Sequence, residues 1–486
     1  MGMSPGVRRP LCGGPATVVR LSHRLTPGEA FDSFARLAHP FFLDSGPGDG
    51  RLGRFSFLGA RPAAILSGKG RALRLRDEGG EQLWRGNPFE AIRTLLDRHR
   101  VLPGQAPIPF TGGLVGYLAY DLCHFVERLP RTAIDDIGLP DLRFGLYDAV
   151  AAYEHATGQW YAASLAGEEP IAWLDGLLAS SERGRQDGGG TAEPDGCFAA
   201  FPASQGPLRL NFTREAYLAA IARAKEYIAA GDIFQVNLSQ RFETEIAVPP
   251  AELYRRLRRV NPAPFAAYLA LDEGCAVLSS SPERFLRVAD GRVETRPIKG
   301  TRPRGATPAE DRRLAAELLA SPKDAAELTM IVDLERNDLG RVCDYGSVAV
   351  TEHKVLEAYA SVFHLVSTVE GRLHPGRDLV DLLKAAFPGG SITGAPKVRS
   401  MEIIDELEPT QRGVYTGSIG WIGLDGTMDL NIAIRTILVR GGRAFFQVGG
   451  GIVADSDPAA EYQETLDKGE RLFRALGREG KQRIIG

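Results

Sequence analysis

The sequence predicts a mixed α+β fold built on large sheets, and three observations lead there. Short apolar runs of strand length recur in both halves of the chain. Longer stretches between them place their apolar residues on one helical stripe. The two kinds of segment then alternate to the C-terminus, the pattern of layered mixed structure. At about 150 residues per domain, 486 residues amount to roughly three domains' worth of chain, ample for a large core.

Residues 1–16 read as a loose tail, because their charges have no apolar run behind them and so make no secretory leader. Residues 17–182 form an N-terminal region with β-like runs AAILSG, RALRLRD and DAVAAYE and a helix near 88–99. That helix shows one face through Phe89, Ile92, Leu95 and Leu96. Residues 183–206 are rich in Gly, Pro and small polar residues and read as a linker or surface loop. The region 207–478 opens with a helix that Asn211 or Thr213 can cap, striped by Tyr217, Ala220, Ile221, Ala224 and Ile228. Strand-like runs follow at 233–242, 265–271, 275–280, 284–288 and 292–296.

Composition narrows the function. Lys and Arg number 58 against 61 Asp and Glu, a net charge of −3, which excludes a generic binder of nucleic acid or membrane surface. No apolar run is long enough to span a bilayer. The five cysteines are scattered with no CxxC pair, so a structural zinc is not expected and a reducing, cytoplasmic location is. None lies in a GxCxG context, so the chain is not expected to release ammonia from glutamine itself.

Several side chains can carry chemistry. Asp324 and Glu327 follow the helix start SPKD, and Glu461 and Glu464 repeat the three-residue spacing after Asp457-Pro458, with Lys468 one turn on. Two such faces could share a hard cation such as Mg²⁺; helix capping and solvation are the alternative. GGSITGAPK (389–397) half resembles a phosphate loop without its GK[ST] and could bind a carboxylate through free N–H groups, or be a plain turn. Gly449-Gly450-Gly451 poses the same choice. Lys299 is flanked by Arg296, Arg302 and Arg304, charges that could depress its pKa and free a nucleophilic amine, although a solvated basic loop reads as well. Glu283 at a strand end could be a general acid or pair with Arg284. His364 and Arg435 are polar residues inside apolar runs; the histidine can be structural or catalytic, and the arginine needs an anion from protein or ligand.

Jointly these residues resemble the chorismate-utilising enzymes. The matching stretches are FQVNLSQRF (234–242), SSSPERF (279–285), RPIKGT (296–301), AELTMIVDLERNDLGRV (326–342), HLVST (364–368), FPGGSITGAPKVRSMEIIDELEP (387–409), YTGSIGW (415–421), IAIRT (432–436) and GGGIVADSDPAAEYQETLDK (449–468). FLDSG (42–46), LGRFSFLG (52–59) and FTGGLVGYLAYDL (110–122) are similar to the family's N-terminal region. The likeness is greatest to the aminodeoxychorismate synthase large-component branch, because anthranilate synthases usually carry alanine where PIKGT has Lys299. Isochorismate-forming relatives place a water-activating lysine where this chain has Gln235.

The resemblance implies large packed sheets in a sandwich flanked by helices, in two interlocked parts, and a Mg²⁺-dependent amination of chorismate towards 4-aminobenzoate and folate. It implies Glu327 and Glu464 as metal ligands supported by Asp324 and Glu461, Glu283 as acid, Lys299 as nucleophile and His364 near the reacting hydroxyl. It also implies Gln235, Ser391, Tyr415, Arg435, Gly449, Gly451 and Lys468 as substrate contacts. NPAPF (261–265) departs from the NPSPY form of tryptophan-inhibited relatives, yet a tryptophan-like pocket of Ser45, Arg54, Phe55, Pro264 and Phe265 is implied. Ammonia would come from solution or from a separate glutamine amidotransferase subunit. The competing readings are an anthranilate synthase large component and an inactive chorismate-binding relative.

Overall fold

Central strands such as Gly113–Leu118 and Ala276–Ser281 are buried on both faces, and they sit in two largely antiparallel sheets packed face to face. The computed structural model describes residues 14–46, 52–184, 203–272, 274–359 and 362–478, with the backbone of 484–485. Among these, thirteen strands form one sheet and twelve the other. Phe57, Tyr117, Val277, Ile419 and Phe445 meet between the sheets, and Phe110 stacks on Trp421 at 4.8 Å between ring centres. Burial of each large side chain stabilises by roughly 1.5–3 kcal/mol.

Helices cover the outer faces. Pro27–Phe34, Glu169–Gly184, Pro250–Val260 and Pro458–Ala475 lie on the first sheet through Phe31, Leu174, Leu253 and Leu472. Pro88–Arg98, Pro322–Gly340 and Leu379–Ala386 cover the second through Ile92, Val332 and Leu383. The expected sandwich flanked by helices is therefore the observed one.

Both sheets are continuous across the two halves of the chain. The strand Phe41–Asp44 pairs with Phe265–Ala270, Leu43 opposite Ala267. The strand Gly113–Leu118 pairs with Ser418–Gly423, Val115 opposite Trp421. The middle of the expected linker, 185–202, lies outside the described residues, as do 1–13 of the expected tail. At the linker's edges the helix runs on to Gly184 and a strand starts at Ser204.

Helix starts follow their caps. Thr213 accepts from the Ala216 amide and caps Arg214–Ala229; Asn211 instead accepts from the Arg241 amide and donates to Thr410. Ser321 and Asp457 cap Pro322–Gly340 and Pro458–Ala475. Cys123, Cys275 and Cys343 are free thiols. Among the described residues no helix is long and apolar enough to cross a membrane.

Candidate active site

Two sequence-distant strands place the central groups side by side. The strand Ile298–Pro303 pairs with Val362–Arg372, Lys299 opposite Leu365 and Thr301 opposite His364. Lys299 is partly buried, and its Nζ donates to the Ser391 carbonyl at 3.1 Å. Burial above all holds its pKa below the usual lysine value and the Lys468 charge adds to this, while Glu327, Glu283 and Glu464 oppose it. Lys299 thus feels one carboxylate of each acidic pair, Glu327 and Glu464. The arginines expected to depress it are occupied elsewhere: Arg296 pairs with Glu357 at 2.6 Å, Arg302 with Glu317 at 2.9 Å and Arg304 with Asp311 at 2.7 Å. Gly300 holds φ +76°, and a Cβ there would lie 2.9 Å from the Asp324 carboxyl carbon, so the backbone beside Lys299 requires glycine.

Glu283 is 4% exposed, and burial pushes its pKa up to about 7. The Ser391 hydroxyl, Lys299, the Ile298 amide and Arg435 limit the rise. The Ser391 hydroxyl has no aligned hydrogen-bond partner, so it faces Glu283 while remaining available. Arg284 turns away from Glu283 to Asp429 at 3.0 Å and Glu294 at 2.6 Å, which excludes the surface-pair reading.

His364 is 2% exposed, and burial, with the Arg435 charge, lowers its pKa to about 3. It is therefore a neutral imidazole at working pH. Its Nδ1 shares a hydrogen bond with Thr301 at 3.0 Å, and its Nε2 is enclosed without a partner. Arg435 takes the left-handed conformation at φ +50°, and no ion pair to a protein carboxylate is recorded for it among the described residues. Burial and Arg471 lower its pKa to about 10, which leaves it charged. An enclosed guanidinium of this kind suits a ligand carboxylate.

The triple glycine is not a turn. It lies inside the strand Arg443–Ile452, paired with Gln235–Ile246. A Cβ on Gly450 would sit 3.2 Å from Glu461 Oε2, 3.7 Å from Lys468 Nζ and 3.9 Å from Glu464 Oε1. A Cβ on Gly451 would collide with the Gln235 amide. The bare strand therefore opens space beneath these groups. Lys468 bridges Glu464 Oε1 at 2.7 Å and the Gly449 carbonyl at 3.1 Å. Although burial raises it, the Glu464 pKa is held low by Lys468, Lys323 and Lys299, whereas burial raises that of Glu327.

Among the described residues no three His, Cys, Asp or Glu side chains converge as a ready metal cage. Glu461 keeps one enclosed oxygen unpartnered, while its other accepts from Ser456 at 2.6 Å. Asp324 is drawn to Arg302 at 3.3 Å. An open carboxylate set of this kind fits Mg²⁺, which takes a few carboxylates and completes its shell with water and substrate oxygen. Tyr415 is buried, and its contacts are with Arg412, whose guanidinium also binds Glu408 at 2.7 Å.

One buried acid escapes the motif reading. Glu335 accepts from Thr295 at 2.9 Å, and burial, with Glu283 next, pushes its pKa to about 8. It sits on the buried stripe Leu328, Ile331, Val332 and Leu339 of its helix, a break in apolar spacing that marks it.

A cavity of about 510 Å³ gathers all five residues of the expected tryptophan-like pocket, Ser45, Arg54, Phe55, Pro264 and Phe265, with Arg284 and Trp421 in its wall. It is distinct from the Lys299 cluster, although Glu283 and Arg284 are chain neighbours.

Comparison with known proteins gives the family and the fold. The profile of the family described as chorismate binding enzyme matches residues 40–474. Aminodeoxychorismate synthase component 1 of Bacillus subtilis is 41% identical over 451 residues, covering 90% of this chain and 92% of the relative. Anthranilate synthase component 1 of Thermus thermophilus is 44% identical over 462 residues, covering 93% and 95%. The crystal structure of anthranilate synthase component I from Streptococcus pneumoniae superposes with a TM-score of 0.74 at 31% identity, over 94% of this chain and all of that one.

Proposed function

This chain belongs to the chorismate-binding enzyme family, and on that premise we propose that it aminates chorismate at ring carbon 4 to give 4-amino-4-deoxychorismate. The observation that carries the reading is Lys299, an amine with a lowered pKa set among Glu283, Glu327 and Glu464. Glu283 donates a proton to the departing 4-hydroxyl, which leaves as water. Lys299 bonds to carbon 2 as that hydroxyl leaves. Ammonia then bonds to carbon 4, the ring double bonds shift back, and the lysine is expelled. Arg435 holds a substrate carboxylate, and neutral His364 offers its free Nε2 to the reacting hydroxyl. Glu327 and Glu464, with Glu461 behind, would hold Mg²⁺, which polarises the ring carboxylate when bound. Gln235 stands where isochorismate-forming relatives carry a water-activating lysine, which disfavours hydration.

Ammonia is supplied by solution or by a separate glutamine amidotransferase subunit, and the product feeds 4-aminobenzoate and folate in the cytoplasm. Anthranilate synthesis is the second reading, favoured by the near-equal identities to the two kinds of relative. The test is purified chain with chorismate, Mg²⁺ and ammonium salt. The proposed reading expects aminodeoxychorismate, converted to 4-aminobenzoate only when a lyase is added. Fluorescent anthranilate without a lyase would establish the second reading, and no chorismate consumption would leave a binding protein. In the same assay Glu464→Gln is expected to raise the Mg²⁺ requirement about tenfold or more; a magnesium titration identical to wild type would remove Glu464 from the metal site.

The 510 Å³ cavity, with aromatic walls and charges of both signs, suits an aromatic amino acid such as tryptophan. Calorimetry is expected to show one-site tryptophan binding, weakened about tenfold by Phe265→Ala. Absence of heat with the wild-type chain would dismiss the pocket.

A further inference from the structure

A second cavity, of about 330 Å³, opens far along the same sheet from the tryptophan-like pocket, and its lining is charged with one sign only. Arg71 comes from the turn between strands Ala64–Lys69 and Ala72–Asp77. Arg85 ends the strand Gly80–Arg85, and Asn87 caps the following helix. His124 and Phe125 close the short turn Tyr120–Phe125, and Arg131 lies in the loop after it. No carboxylate lines the cavity. Among the described residues Arg71, Arg85 and Arg131 form no ion pair with a carboxylate, and all three side chains are exposed. Arg71 instead lies over the Phe125 ring, 5.9 Å from its centre.

Three unneutralised guanidiniums around one space repel each other, and an anion in that space would relieve the repulsion. His124, shared between this cavity and a neighbouring one, has an enclosed Nδ1 bonded to nothing, a donor that an anion could use. The positive N-terminal end of Pro88–Arg98 at the rim contributes to the same field. A carboxylate is planar and is satisfied by one arginine, whereas a tetrahedral dianion accepts from several directions. The Phe125 ring offers an apolar wall, and the space exceeds that of a bare tetrahedral anion.

We propose that this cavity binds a phosphoryl group, carried by a small organic phosphate whose remainder rests against Phe125. The test is calorimetry on the full chain at constant ionic strength, with inorganic phosphate, phenyl phosphate and phenyl sulfonate as probes. Saturable one-site binding of both phosphates, and little of the singly charged sulfonate, is expected. Tighter phenyl phosphate identifies an organic phosphate as the ligand, and equal affinities identify the free ion. Arg71→Ser and Arg131→Ser each weaken phosphate binding about tenfold, the loss of one charge-assisted contact. Both residues are exposed, and thermal unfolding of each variant without phosphate should match wild type. No phosphate binding by the wild-type chain, or unchanged affinity in the folded variants, overturns the proposal. The readout does not involve chorismate, so it stands apart from the amination reading.

Discussion

Glu283→Gln is expected to lower turnover with chorismate about 10²–10⁴-fold while making the protein more stable above about pH 8. The two effects share one cause. Burial raises the Glu283 pKa to about 7. The protonated form therefore survives near neutrality and can donate to a leaving hydroxyl, whereas an amide has no acidic proton to give. The wild-type rate should fall as pH rises through about 7, and the residual rate of the glutamine variant should lack that limb. For stability, the folded-state value lies above the unfolded one. The contribution is therefore complete below the unfolded value, and it is lost as pH rises through about 7. A shift from 4.5 to about 7 corresponds to about 3 kcal/mol. Glu335, raised to about 8 in the same enclosure, acts in the same direction. Denaturant midpoints across pH, read beside the rates, check both halves. An unchanged rate would remove Glu283 from acid catalysis, whatever the stability did.

Lys299→Ala should reduce aminodeoxychorismate formation about 10²-fold or more, a barrier increase of about 3 kcal/mol, and abolish any covalent adduct with chorismate. Arginine at this position would not rescue it, because a guanidinium stays protonated. The alanine variant removes an amine from among three carboxylates, so Mg²⁺ binding is expected to tighten rather than fail. That separates loss of the nucleophile from collapse of the site. Rapid quench with mass spectrometry of the intact chain reads the adduct, and calorimetry reads the metal. Full activity without an adduct in either protein would mean that ammonia attacks directly and that Lys299 only positions charge.

The elements were legible because their signals are local. The stripe from Tyr217 to Ile228 and the caps Thr213, Ser321 and Asp457 announce helices within a few residues. The convergence of Lys299, Glu283, His364 and Arg435 was legible only through the family likeness, since no spacing rule brings residue 283 to residue 435. Electrostatic causes were harder to read. The arginines around Lys299 are its neighbours in sequence, but Glu357, Glu317 and Asp311 claim them in space. Arg435 shows the reverse: a protein carboxylate was the natural expectation, and among the described residues none forms an ion pair with it, although Glu283 acts on it through space. The pairing of Phe41–Asp44 with Phe265–Ala270 left no trace in either segment, because antiparallel register is decided by partners more than two hundred residues apart.

That pairing bears on how such a gene can change. A chimera joined between residues 184 and 203 would inherit both seams, at Leu43 with Ala267 and at Val115 with Trp421, from different parents. Each seam carries backbone ladders and an aromatic core on one face, so mismatched parents would disturb both sheets at once. The middle of the chain looks like a convenient joint between modules, yet recombination there is the least tolerant. Exchange of whole outer helices, which touch one sheet face and leave the ladders intact, is the milder route to diversity.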